Sequence, residues 1–393
     1  MTNFRCVKTN GRHLDVSVVV PAYNCESNLK SCLVAIQQSI GCSFEIIVVD
    51  DSSTDRTSDV AKQLGVKLIR LPKQSGPAVA RNRGGVLAKS DLLVFIDSDV
   101  IVSPTVLRDF KEQLQSGEVS AAFGSYDAKP TAQSYISLYK NLMHHFFHQT
   151  SAGYTGTFWS GCGAINKSVF FEYGGFNEHF DKPSIEDIEF GMRITSAGHL
   201  IRICPEIQAK HTKRWTLENL IRTDVFLRGV PWTRMILRNG AFANNLNTSL
   251  GQRISVLVAG LICLIFLQIL FENPAFASAP FAMLVLLSLT DALSARDHQR
   301  RMRMWLSVAF LLTAVAIFLA WEPKSIAIAM GSGMLWLLNQ SSLRFLGQSN
   351  GTAFLLLSLP LHLLYFISCG FSFLIGVIYH LLGIPFLPRS STG

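Results

Sequence analysis

No Cys-x-x-Cys pair occurs in this sequence, and no cysteine stands at a zinc-holding spacing from a histidine. The eight cysteines lie mostly in apolar or helical contexts, as Cys263 and Cys369 do. They read as reduced packing residues, which fits a cytoplasmic globular part. Charge is also scarce: Asp, Glu, Lys and Arg make up 16% of the 393 residues, against 49% apolar. Met1 to Asp15 is polar and lacks the apolar core of a cleavable signal, so none is expected. There is no internal repeat and no low-complexity tract.

The charge that exists is unevenly placed. Of 35 Lys+Arg and 27 Asp+Glu, 28 and 23 fall at or before Arg253, and only 7 and 4 beyond it. A soluble-type part followed by a membrane part is predicted. The net charge of +8 does not imply a nucleic-acid partner. Between Ile207 and Arg253, eight basic residues stand against Glu218 and Asp224, just ahead of the first apolar span. A basic patch in that position suits anionic membrane lipid.

The N-terminal half alternates short apolar runs with helical patterns. Val16–Val20, Glu45–Val49, Lys67–Leu71 and Leu92–Ile96 read as strands. Leu29, Leu33 and Ile36 mark one helix face, Val60, Ala61 and Leu64 a second, and Ala80, Arg81 and Val86 a third. Such alternation predicts parallel βαβ units. Ser120–Gly124 reads as a further strand, Gln133–Thr150 as an amphipathic helix and Ile185–Ala197 as a helix opening on Glu186-Asp187. His144, His145 and His148 read as a solvated or membrane-facing histidine face rather than a metal site. Leu217–Leu237 is basic and amphipathic, interrupted at Gly229-Val230-Pro231-Trp232, and suits a pair of interfacial helices.

About five membrane spans are expected near Ile254–Phe271, Pro274–Leu293, Trp305–Trp321, Lys324–Leu338 and Thr352–Leu374, each near the roughly 20 residues a bilayer requires, the fourth being short. The loop Arg296–Arg303 holds four arginines and should stay in the cytoplasm. That places residues 1–253 on the same side. The predicted organisation is a catalytic domain at 1–206, a basic interfacial segment at 207–253 and a transmembrane domain at 254–393.

Two strands end in acid. Leu92–Ile96 runs into Asp97-Ser98-Asp99, and Glu45–Val49 into Asp50-Asp51. Open α/β sheets bind ligands at the carboxyl ends of their strands. Paired carboxylates without soft ligands suit Mg²⁺ or Mn²⁺ carrying a diphosphate. The series Val16–Asn24, Glu45–Asp55, Asp97-Ser98-Asp99 and Glu186-Asp187 closely resembles the family-2 inverting glycosyltransferases over about Val16 to Trp215. The stretches Pro183–Glu189, His211–Leu217 and Pro231-Trp232-Thr233 resemble a bacterial membrane-anchored subgroup of that family.

The resemblance implies a GT-A type, Rossmann-like nucleotide-sugar-binding domain, followed by interfacial helices and an α-helical transmembrane domain. It implies a nucleotide-sugar donor. Pro21 and Tyr23 follow a strand end where a ring can lie against the base. Asp51 can accept from a base N–H, with Asp50 as the alternative. Arg81 can reach base or phosphate, and Asp97 the ribose or metal-bound water. Asp99 is the expected metal ligand, and His211 matches a metal-binding position in related enzymes. Asp187 is the candidate base and Glu186 its alternative. Trp159, Gly161 and Gly163 are candidates for the acceptor-side wall, together with Arg214 and Trp215.

Processive polysaccharide synthases of the family carry Gln-x-x-Arg-Trp where this chain has His211-Thr212-Lys213-Arg214-Trp215. The Arg-Trp pair is kept and the Gln is not. The expected activity is transfer of one sugar to a membrane-associated, lipid-linked acceptor by a multi-pass protein of the bacterial inner membrane. The alternatives are a processive synthase, or a membrane transport or scaffold protein with an inactive nucleotide-binding domain.

Overall fold

The computed structural model describes residues 14–239, 249–272 and 324–384. The expected spans Pro274–Leu293 and Trp305–Trp321 and the loop Arg296–Arg303 lie outside the described residues.

The apolar runs form strands β1 (Val16–Ala22), β2 (Phe44–Asp50), β3 (Lys67–Arg70) and β4 (Leu92–Ile96). All four are parallel, with β1 between β2 and β4. Alternate residues of each strand point to opposite faces. Val16, Val18 and Val20 of β1 therefore meet Leu29, Leu33 and Ile36 of helix α1 (Glu26–Gln37). Val19 joins the other face, with Ala78 and Ala80 of α3 (Pro77–Leu87). Helix α2 (Thr57–Gln63) connects β2 to β3. The chain leaves β1 outward through β2 and β3, then returns to the opposite side of β1 as β4. That reversal puts the topological switch point at the carboxyl ends of β1 and β4, the usual ligand site of such sheets.

Five further strands extend the sheet: β5 (Val100–Val102), β6 (Ala121–Tyr126), β7 (Gly153–Thr155), β8 (Cys162–Asn166) and β9 (Ile201–His211). The order is β3-β2-β1-β4-β8-β6-β9-β5, with β7 also on β9. Two registers position the site. β8 runs antiparallel to β4 with Ile96 opposite Cys162, which brings residues 159–161 against Asp97. β5 runs antiparallel to β9 with Val100 opposite His211, which brings His211 beside Asp99. Helix α4 (Val106–Gln115) packs on the α1 face, and α6 (Lys167–Glu172) and α7 (Glu186–Ser196) on the α3 face.

Helix α5 (Tyr135–Thr150) turns away from both layers. Its Tyr135, Leu138 and Leu142 form a separate core with Trp215 and with Leu346, Phe354 and Leu361. Those last three belong to a 42-residue helix, Gln340–Leu381, which has a non-helical Gly351 and an internal Pro360. The basic segment is not a pair of separated helices. Leu217–Ile221 is α-helical, Arg222–Gly229 is a π-helical stretch, and Val230–Asn239 resumes the α-helix. Pro231 lies just past the π-helical stretch, where its missing N–H leaves a carbonyl of the preceding turn without that helical bond.

Two described helices are long and apolar enough to cross a membrane, within Leu250–Glu272 and Gln340–Leu381; Lys324–Leu338 is apolar but shorter. On the first, Leu257, Leu261, Leu264 and Phe271 are 74%, 58%, 65% and 86% exposed, an apolar face that nothing described covers. The seven described cysteines are all free, and Cys25, Cys32, Cys162 and Cys204 are buried.

Candidate active site

Asp97, Glu186 and Asp187 gather about Arg81 past the end of β4, with Asp99 beside them. Arg81 projects from the buried face of α3 and is itself buried. Its Nη2 donates to Asp97 Oδ1 at 2.7 Å and its Nη1 to Glu186 Oε1 at 2.8 Å. The second oxygen of Glu186 accepts from the Ser184 N–H at 2.9 Å. Arg81 thus ties the end of β4 to the start of α7, itself lying 105 residues before Glu186 in the sequence. Burial opposes the Arg81 charge, but Asp97 and Glu186 outweigh it and hold the guanidinium firmly protonated. Asp97 is raised above the ordinary carboxylate range by burial, which outweighs the pull of Arg81.

Asp187 is next to this pair. Its Oδ2 accepts from both the N–H and the hydroxyl of Ser160, each at 3.0 Å, and its Oδ1 from the Ile188 N–H at 2.8 Å. Burial and the neighbouring Glu186 charge push its pKa up to about 6, against the pull of Arg81 and Ser160. A carboxylate poised there can take a proton near neutral pH. Ser160 is held in place by the β4–β8 register, and the Asp97 N–H donates to Gly161 O at 3.1 Å. A side chain at Gly161 would meet the Trp159 ring at 2.7 Å, so the close turn requires glycine.

Asp99 points the other way, toward His211. The distance from Nε2 to Oδ2 is 3.5 Å. Thr212 fastens the backbone, donating from N–H and hydroxyl to Asp99 O at 2.9 and 2.8 Å. Burial works against the Asp99 charge, but His211 and Lys213 hold its carboxyl below the usual range. Among the described residues no group of three or more His, Cys, Asp or Glu side chains is placed to hold a metal. Asp99 and His211 are a two-donor set whose remaining ligands would be diphosphate oxygens and water. One or two protein ligands plus phosphate is common for such ions.

The residues expected on the donor side fall into two groups. Tyr23 stands on the rim, 42% exposed, and Pro21 lies half-buried opposite Val49. Asp51 and Asp50 are buried and engaged with backbone. Asp51 accepts from the Ser75 and Gly76 N–H groups at 2.7 and 2.8 Å. Its pKa is raised by burial in spite of those bonds. Gly76 has a φ of +92°, and a Cβ there would strike the Asp181 backbone. Asp50 accepts from the Ser53 N–H at 2.8 Å and from the Ser58 hydroxyl.

Arg214 is exposed, while Trp215 is 1% exposed in the α5 core. The Trp215 backbone is clamped on the Ser137 hydroxyl, and Lys213 Nζ lies 4.3 Å over its ring. Neither residue joins the carboxylates. Trp159 does border them, edge-on to Tyr126 at 4.7 Å. His144 and His148 do not form a solvated face: they are half-buried, stacked on each other, with His144 also on Tyr126. Burial holds His144 well below its ordinary range and His148 at about 4, so both serve as neutral rings. Ser160, Asn141, Tyr126 and Lys213 are parts of the site that sequence reasoning missed. Asn141, a polar residue between the apolar Leu138 and Leu142 on a helix face, carried the one usable signal.

A doubly wound sheet with acidic residues at its switch point is the arrangement in which open α/β sheets bind their ligands. Residues 17–174 match the family model described as glycosyl transferase family 2, and the chain carries a glycosyltransferase domain of that family. A dolichol-phosphate mannosyltransferase from Pyrococcus furiosus is 34% identical over 135 residues, 33% of this chain and 38% of that protein. An O-antigen chain rhamnosyltransferase from Salmonella anatum is 26% identical over 232 residues, 55% of this chain and 73% of that protein. The chain spans less than half the length of the first of the curated relatives it matches. A solved mannosyltransferase from Pyrobaculum calidifontis, in complex with GDP-Man and Mn²⁺, superposes with a TM-score of 0.47 at 18% identity, over 85% of this chain and 88% of that one.

Proposed function

We propose that the chain transfers a single sugar from a nucleotide-sugar donor to a lipid-linked acceptor at the membrane surface, inverting the anomeric centre. The observation that carries this reading is Asp187, a carboxylate raised to about 6 and aimed by Ser160 beside the Arg81 network. The acceptor hydroxyl attacks the anomeric carbon from the face opposite the leaving group. The bond from that carbon to the diphosphate oxygen breaks, the nucleoside diphosphate departs, and Asp187 takes the acceptor proton. Arg81 sets Asp97 and Glu186 and so fixes where Asp187 stands. Tyr23, on the rim, is the platform for the base, and Asp51 shapes the loop that borders it.

Asp99 and His211 would hold Mg²⁺ or Mn²⁺. Four carboxylates with one guanidinium between two of them leave excess negative charge where a diphosphate must sit. When bound, the ion offsets charge on the departing diphosphate. The open apolar face of Leu250–Glu272, and the arginines of the segment 217–239 with Phe226 54% exposed, support membrane anchoring with the acceptor presented at the lipid surface. Trp215 is used in packing, which favours a single transfer over a processive channel.

The test is a screen of UDP-, GDP- and dTDP-sugars with Mn²⁺ against the full chain in lipid nanodiscs, reading donor turnover and nucleoside diphosphate binding. Asp99→Ala should lose turnover and Mn²⁺-dependent nucleotide binding together. Undiminished Mn²⁺-dependent binding in that variant defeats the assignment.

A further inference from the structure

His211 is held on three sides. Its backbone is fixed opposite Val100 by the strand register. Its ring stacks on Tyr126 at 4.3 Å and 12°. Its Nδ1 is 2.6 Å from Asn141 Oδ1, and both side chains are buried. With the amide turned so that its oxygen faces the ring, Oδ1 accepts and Nδ1 carries the hydrogen. In a neutral ring Nε2 then carries a lone pair, and that lone pair looks toward Asp99 Oδ2 at 3.5 Å. A proton on Nε2 would bridge the two and help hold the Asp99 carboxyl low; without it the two acceptors form a seat for a cation.

We propose that Asn141 is a positioning residue that locks His211 in the Nδ1–H tautomer, leaving Nε2 free to bind the divalent ion together with Asp99. This rests on the reading of Asp99 and His211 as the metal pair. A partner on the far nitrogen of a metal-binding histidine sets its tautomer, its orientation and its basicity, and losing one typically costs about 10–100-fold in metal affinity. The reversed amide would instead donate to Nδ1, put the hydrogen on Nε2 and close the pair as a His–Asp hydrogen bond. The two orientations make opposite forecasts for an acid at position 141.

The experiment titrates Mn²⁺ into the full chain in nanodiscs with UDP, GDP or dTDP, without sugar or acceptor, and follows free Mn²⁺ by electron paramagnetic resonance. Asn141→Leu should weaken Mn²⁺ uptake about 10–100-fold. Asn141→Asp, which can still accept from Nδ1–H, should bind as tightly as the parent or more so. A packing role predicts the reverse order, because leucine fills the space and a buried carboxylate is costly. Thermal melting accompanies each variant. Asn141→Ser, whose hydroxyl can also accept, replaces the acid if the carboxylate does not fold, and must likewise rank above leucine. If His211→Ala loses Mn²⁺ while Asn141→Leu keeps it, or if the acid binds no better than leucine, the proposal is wrong and the metal pair stands. If the parent takes up no Mn²⁺ with any of the three diphosphates, the metal reading itself fails.

Discussion

Asp187 gives the sharpest test, because its neighbours shift its proton affinity in known directions. With a pKa of about 6, Asp187 is roughly 90% ionised at pH 7 and roughly 10% at pH 5. The rate governed by kcat/KM should therefore rise with pH through an acid limb near 6 and drop about tenfold between pH 7 and 5. Asp187→Asn should keep nucleotide binding, lose about 10²–10⁴ in transfer and flatten the limb. Two neighbours then report the cause. Ser160→Ala removes a hydroxyl that donates to Asp187 Oδ2, so the charged form loses support and the limb moves to higher pH. Glu186→Gln removes a nearby negative charge and leaves Arg81 less compensated, so the limb moves to lower pH. Transfer is measured across pH 4.5–8.5 with saturating donor on the same preparations. If Asp187→Asn transfers at close to the parent rate while Glu186→Gln is dead, the base is Glu186. If the limb stays put in both neighbour variants, Asp187 is not the titrating group.

Arg81→Met leaves Glu186 buried without its partner and should lower stability by about 3–5 kcal/mol, while adding Glu186→Gln should recover part of that loss in urea titration. Full stability in the single variant would show that the pair carries nothing. Asp51→Ala strands the Ser75 and Gly76 N–H groups and should cost about 1–3 kcal/mol and weaken nucleotide binding, with Asp51→Asn milder because one acceptor remains. Equal losses from the two would contradict that origin. Residues 1–253 and the loop Arg296–Arg303 should lie on the cytoplasmic side, so a cysteine at position 300, in a background free of native cysteines, should resist labelling from outside intact cells.

The parallel half of the sheet was legible because its strands are short apolar runs, each ending in a turn or in acid. Leu92–Ile96 is the clearest case: every residue is buried, and Asp97 and Asp99 emerge where the run predicts. β9 was not legible. Its eleven residues, Ile201–His211, include Pro205 and the charged Arg202, Glu206 and Lys210, and they become a strand by pairing with β6, β5 and β7, all distant in sequence. The Arg81 bridge was hidden for the same reason, since neither Gly76–Leu87 nor Ile185–Ala197 indicates that the two helices meet. His144 and His148 misled because a histidine cluster has polar composition, while burial makes these rings apolar in practice.

Helix α5 carries Asn141 toward the site, and its preceding residues reach the other way. Lys140 makes a two-pronged ion pair with Asp224 of the π-helical stretch, and Tyr139 hydrogen-bonds His362 of the 42-residue helix. Cutting the chain after Trp215 would therefore leave a buried ammonium without its counter-charge and strip Tyr135, Leu138 and Leu142 of their cover. The α/β part is thus not a detachable module: removing the helices it rests on should lower its melting temperature, and a change of order in Gln340–Leu381 is expected to reach His211 through three consecutive residues of α5.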